Sequence, residues 1–185
     1  MKSSSVRFEE AAAELSRPLL HYLDAFVGER TTAEDLVQET LIRMSKGFDA
    51  FRGEASLKTW AFSIATRVAS DHFRKPENRL KIVGVDEGPD LPDPDAAAEE
   101  VAVLKEMTAC IRQVIDSLPE RYRAPLILHD LEGLSVAETA AICESPVPAT
   151  KIRIHRARRR LEEALRAQCN LYHDSRNVLR CDRVP

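Results

Sequence analysis

The stretch Gly133–Leu161, GLSVAETAAICESPVPATKIRIHRARRRL, carries two helical patterns separated by a break. Ser135-Val136-Ala137-Glu138 has the form of a capping box, in which the Ser oxygen accepts from the third helical N–H and the Glu reaches back. It predicts a helix of about two and a half turns ending near Cys143. Glu144-Ser145-Pro146 breaks that pattern, and from Pro148 onward Thr150, Ile154, Ala157, Leu161 and Leu165 recur at three-four spacing. Lys151, Ile152, His155, Arg156 and Arg159 fall on the opposite face. A short helix, a tight turn and a longer helix with a basic outer face form a helix-turn-helix, whose second helix can enter a major groove.

Charge is distributed to match. The net charge is only −3, yet the segment 151–168 concentrates Lys151, Arg153, Arg156, Arg158, Arg159, Arg160 and Arg166. An Arg near the opening of a groove-entering helix can bond guanine bidentately, whereas those further along hold phosphates. Arg156 is therefore the expected base reader, with Arg158, Arg159 and Arg160 as anchors.

Moving toward the N-terminus, Leu57, Trp60, Ala61, Ile64, Ala65, Val68, Ala69, His72 and Phe73 draw one apolar stripe, with Ser56 as its N-cap. Thr31-Thr32-Ala33-Glu34 reads as another capping box, ahead of a helix that stops at Gly47. A first helix is expected over Arg7–Phe26. From Gly84 to Glu106 there are eight acidic residues and one Lys, in a segment punctuated by Pro and Gly that cannot bury enough surface to fold alone. The prediction is an all-α fold: a helical domain over 7–75, an acidic flexible linker over 76–97, a helix-turn-helix domain over 98–168 and a Cys/His-containing tail over 169–185. No apolar run is long enough for a membrane span or a signal peptide, so the expected location is the cytoplasm. Phosphate-binding Gly loops, nucleophile elbows and HExxH pairs are absent from the sequence, which leaves an enzyme without support. His21, His72, His129 and His155 are scattered, as surface or packing residues are.

Ile115–Arg123 (IDSLPERYR), Asp130–Ser135 (DLEGLS) and His155–Leu161 (HRARRRL) resemble the C-terminal domain of extracytoplasmic-function (ECF) sigma factors, of the sigma-70 family of bacterial RNA polymerase. Ala33–Thr40 (AEDLVQET) and Phe51–Trp60 (FRGEASLKTW) are similar to that family's N-terminal domain. The resemblance covers residues 10–74 and 98–167. It implies a non-enzymatic initiation factor that directs core RNA polymerase to promoter DNA in a stress, envelope, metal or redox response, with an anti-sigma factor as a partner in many members. By the same resemblance, Glu34, Asp35, Gln38 and Glu39 face a cation-bearing coiled coil of the polymerase's largest subunit. Phe51, Arg52, Gly53 and Ser56 stand in the loop that captures a flipped base of the minus-ten element, with Lys58, Arg67 and Arg74 near phosphates. Trp60, on the apolar stripe, is assigned to core packing. Lys151, Ile152, Arg153, His155, Arg156, Arg158 and Arg159 face the minus-thirty-five element.

The sequence departs from the family's usual pattern at the turn, where Glu144, Pro148 and Ala149 stand in place of the Gly-containing turn and Gly-Thr pair of many members. Pro148 suits the first helical turn, since its missing N–H has no partner there. Glu144 is an awkward occupant both of a left-handed turn position and of a site beside DNA. The competing class is a one-component regulator that uses the same helix-turn-helix on duplex DNA without polymerase; the first-half motifs argue against it. No cofactor is required by any of this. In the tail, Cys169, His173 and Cys181 form a Cys-x3-His-x7-Cys spacing that can converge on zinc or another thiophilic ion, with Cys143 or Cys110 as a fourth ligand if the tail folds back; a redox pair or a partner-docking tail explains the same residues. Burial as plain thiols fits Cys110 and Cys143 best.

Overall fold

The computed structural model describes residues 2–75, 110–173 and 179–183, so the expected linker, 76–97, lies outside the described residues. Helix α1 spans Lys2–Val27, α2 Arg30–Gly47 and α3 Leu57–Arg74, with a single 3-10 turn at Phe48–Ala50. The chain resumes in α4, described over 110–117, then α5 (Glu120–Leu126), which runs into a π-helical stretch at Ile127–Leu131. Helices α6 (Val136–Ile142) and α7 (Val147–Gln168) follow.

The apolar stripe of α3 packs as its spacing requires: Ala61, Ala65, Val68 and Ala69 are buried, and Phe62 joins them against Tyr22 of α1 at 5.3 Å between ring centroids. Ser56 caps α3 by accepting from the Thr59 N–H at 3.0 Å. Helix α2 differs from expectation at its start. Its N-cap is Glu29 rather than Thr31, and both threonine hydroxyls donate back to the Glu29 carboxylate, at 2.8 and 2.6 Å. A carboxylate that collects two hydroxyls leaves those threonines inside the first turn, where they cannot act as caps.

The two helical units share one core. Buried residues from Leu15, Leu19, Tyr22 and Phe26 on α1 are continuous with Ile115, Leu118, Tyr122, Leu126, Ile127 and Leu128 of the second unit. Arg123, 6% exposed, reaches across this boundary and donates to the Phe26 carbonyl at 2.8 Å, to the Leu118 carbonyl at 3.1 Å and to the Asp116 carbonyl. Arg112 bonds Asp24 at 3.0 Å, and His21 bonds Glu132 at 2.6 Å. Gly28 stands at φ +77°, and a Cβ there would lie 2.7 Å from the Asp116 carboxylate, so the α1–α2 turn needs glycine for both backbone and space.

The tail is an antiparallel ribbon that the all-helical expectation did not contain: β1 (Cys169–His173) pairs with β2 (Leu179–Arg183), Cys169 opposite Arg183 and Leu171 opposite Cys181. Two strands alone are marginal in water. Here β1 continues directly from α7, and Cys169 at its start is buried.

Candidate nucleic-acid interface

The helix-turn-helix forms as its caps dictate. Ser135 Oγ accepts from the Glu138 N–H at 3.2 Å while the Glu138 carboxylate accepts from the Ser135 N–H at 2.9 Å, so two end donors of α6 are satisfied reciprocally. The Ser135 hydroxyl also donates to that carboxylate at 2.7 Å, and this bond, followed by the backbone one, holds the Glu138 carboxyl below its ordinary pKa. Helix α6 ends at Cys143, and Glu144 takes φ +48°, the left-handed conformation its position in the turn demands. Helix α7 then begins at Val147, with Pro148 in its first turn.

On α7 the inward residues Thr150, Ile154 and Ala157 are at most 4% exposed, which turns Lys151, Ile152, His155, Arg156, Arg158 and Arg159 outward; Arg153 is half-buried. Ile152 is 51% exposed, an apolar side chain with no packing reason to be there. The basic side chains differ in what already holds them. Arg158 donates to Asp130 with Nε at 2.9 Å, and Arg159 to Glu163 at 2.8 Å. The Tyr122 phenol lies below its ordinary pKa, chiefly because of the neighbouring Arg156, with Arg121 and Arg160 adding to the effect. Arg160 and Arg121 lie over the Tyr122 ring at 5.0 and 4.9 Å. Sequence reasoning missed Tyr122 as the organiser of this cluster; its place in the IDSLPERYR motif was the only available signal.

The second expected surface lies on α3 and the loop before it. Phe51 is half-buried with its ring 4.9 Å from that of Trp60, which also contacts Phe48 and packs against the core. Arg52 and Gly53 are exposed, Gly53 at φ +74° with open space around it. Ser56 is committed to its cap. Lys58 lies over the Phe62 ring at 5.6 Å, and Arg74 is exposed beside Asp71 at 3.7 Å. Arg67 does not point to open solvent alone: it bonds Glu144 of the turn, Nε to Oε1, at 2.9 Å. A cavity of about 400 Å³ lies between these elements, lined by Arg43, Arg67, Arg74, Asp71, Cys143 and Glu144 among others. Burial pushes the Cys143 thiol up to about 11.

On α2, Glu34, Asp35 and Gln38 are exposed and Glu39 partly so, above the buried Ala33, Leu36, Val37 and Thr40. Glu34 holds Arg30, one turn back, at 3.0 Å, and Glu39 holds Arg43, one turn on, at 2.7 Å. In the tail, Cys169 is buried against Cys110, with the sulfurs 3.4 Å apart, and no metal-holding cluster occurs among the described residues. The side chains of His173 and Cys181 lie outside the described residues. No helix among the described residues is long and apolar enough to cross a membrane.

Comparison with known proteins matches both helical units to one family. The chain matches sigma-70 region 2 over residues 12–79 and sigma-70 region 4 over residues 108–161. It is 31% identical to the RNA polymerase sigma-H factor of Pseudomonas aeruginosa over 166 residues, 85% of this chain and 86% of that one. It is 35% identical to the ECF RNA polymerase sigma factor SigX of Bacillus subtilis over 156 residues, 81% of this chain and 80% of that one. Among solved structures it resembles the sigma factor RpoE of Bartonella quintana, in complex with the anti-sigma factor NepR, with a TM-score of 0.68, 25% identity and coverage of 86% and 97%. Two sigma-70 regions in order, and relatives at this identity along four fifths of the length, lead to one assignment: the chain belongs to the ECF sigma factors of the sigma-70 family.

Proposed function

We propose that the chain directs core RNA polymerase to promoters by presenting α7 to the minus-thirty-five element and the Phe51–Ser56 loop with α3 to the minus-ten element. The observation that carries this reading is the outer face of α7, where Lys151, Ile152, His155 and Arg156 stand exposed over a buried stripe. Arg156, exposed beside Tyr122, suits a bond to a base edge; Ile152 suits the thymine methyl. Arg158 and Arg159, already paired with carboxylates, suit phosphate contacts that exchange one anion for another. Gly53 leaves its loop backbone open for an extruded base, with the partly exposed Phe51 as a stacking surface. The outward carboxylates of α2 complement a cationic surface of polymerase. An anti-sigma protein is a further partner on this reading, by analogy with the RpoE–NepR complex.

The experiment is reconstituted transcription. Purified chain added to core polymerase yields promoter-dependent transcripts from a genomic library, whereas the chain alone binds the same duplex promoters weakly. Tight, specific duplex binding without polymerase and no transcript with it would replace this reading with a one-component regulator.

A further inference from the structure

Cys110 and Cys169 come from opposite ends of the second helical unit and meet in its interior. On α4, Cys110 shares a buried face with Val114, Ile115 and Leu118. Cys169 is the residue at which α7 ends and β1 begins, its N–H bonded to the Leu165 carbonyl. Each is 2% exposed, and their sulfurs are 3.4 Å apart. A disulfide requires the sulfurs to come about 1.4 Å closer, a movement within reach of side-chain rotation and slight motion of the helix end.

We propose that Cys110 and Cys169 are a redox modification site, a dithiol that a peroxide converts into a disulfide closing residues 110–169 into a ring. In the first step one thiolate attacks the peroxide; an S–O bond forms, the O–O bond breaks, and the leaving oxygen departs as water after taking a proton. In the second the neighbouring thiolate attacks the sulfenic sulfur; the S–S bond forms, the S–O bond breaks, and a second water leaves. Both thiols are oxidised and one peroxide is reduced, with no other reactant. Burial confines the first step to moments when the end of α7 and the ribbon part from α4. The second is then fast, because the resolving sulfur is already in contact.

The ring holds the whole helix-turn-helix. Its closure point is thirteen residues beyond Arg156, roughly 20 Å along the helix, so the link leaves the outward face of α7 free. Oxidation therefore braces the DNA-reading unit rather than blocking it, by restricting its unfolded chain.

The test treats the reduced, full-length chain with hydrogen peroxide, blocks remaining thiols by alkylation and maps peptides without reduction. The expected result is a mass lower by two hydrogens, one cross-linked peptide pair joining Cys110 to Cys169, and a melting temperature raised by several degrees and restored by dithiothreitol. Cys143→Ser and Cys181→Ser keep the link; Cys110→Ser and Cys169→Ser lose it, with far-UV circular dichroism checking that each is folded. Mapping of the wild-type chain decides the pairing even if a variant misfolds. A link through Cys143 or Cys181, addition of oxygen without a link, or an equivalent of zinc retained by the wild type and lost from Cys169→Ser would each overturn the proposal.

Discussion

Arg67 of α3 and Glu144 of the helix-turn-helix turn are joined by a hydrogen bond of 2.9 Å from Nε to Oε1, across the boundary between the two sigma regions. Both side chains are more than half exposed, so the pair contributes only about 0–1 kcal/mol to stability. Its significance is positional. Glu144 occupies with its carboxylate the guanidinium of Arg67, for which a promoter phosphate contact is expected.

Glu144→Gln should raise the affinity of the free chain for DNA, because it releases Arg67 without altering the turn's size. One added phosphate contact steepens the logarithmic salt dependence by roughly 0.7–0.9. Fluorescence anisotropy over a salt series reads this slope; an unchanged slope means that Arg67 does not meet phosphate.

Arg156→Ala should weaken use of the minus-thirty-five element by about 1–3 kcal/mol and relax preference at one or two positions. Tyr122→Phe removes the hydroxyl beside Arg156 while keeping the ring under Arg121 and Arg160, and should cost at most about 0.5–1.5 kcal/mol at the same positions. Arg159→Ala should lower affinity evenly across sequences and flatten the salt dependence. Transcription from promoters with each base varied separates the three patterns; identical losses for Arg156→Ala and Arg159→Ala would remove Arg156 as a reader.

Arg123→Ala should destabilise the chain by about 3–5 kcal/mol, since it strips the donor from three carbonyls and leaves the partly buried Asp116 with Arg112 as its remaining nearby cation. Burial already raises the Asp116 pKa, and Arg123 is the main charge opposing that rise. Urea denaturation gives the loss directly, and a change within about 0.5 kcal/mol would contradict the role assigned to Arg123.

His21 couples the interface to pH. Its hydrogen bond to Glu132 raises its pKa above 6.5, more than burial lowers it. The pair's stabilisation is therefore complete below 6.5 and is lost as pH rises through the higher folded-state value. Because His21 is half exposed, screening keeps the effect below about 1 kcal/mol. Melting temperature should fall modestly between about pH 6 and 8 in wild type and vary less in Glu132→Gln; equal slopes would exclude the pair as the source.

Local order in this chain was legible because its causes are local. The Ser56 cap, the Ser135–Glu138 box, the stripe of α3 and the left-handed position of Glu144 all follow from residues a turn or less apart. The start of α2 was misread because Glu29 draws in the hydroxyls of Thr31 and Thr32, and a capping pattern does not reveal which polar group wins. Periodicity shows that a face is apolar, not what covers it. The docking of α1 on Ile127 and Leu128, and the meeting of Cys110 with Cys169, depend on contacts between residues distant in the chain. The ribbon left a faint trace in the alternation of Cys169, Leu171 and His173, too short to weigh against a helical neighbour.

The unbroken apolar core from Leu15 to Ala157 has a consequence for how the chain comes apart. Each sigma region lends part of its interior to the other, through Tyr22 and Phe26 on one side and Ile127 and Leu128 on the other. The expectation is all-or-none cooperativity: one calorimetric peak whose enthalpy equals the van't Hoff value, and the same opening free energy for the slowest-exchanging amides of α3 and α5. The two halves, which match different sigma-70 regions, are expected to melt as a single thermodynamic body.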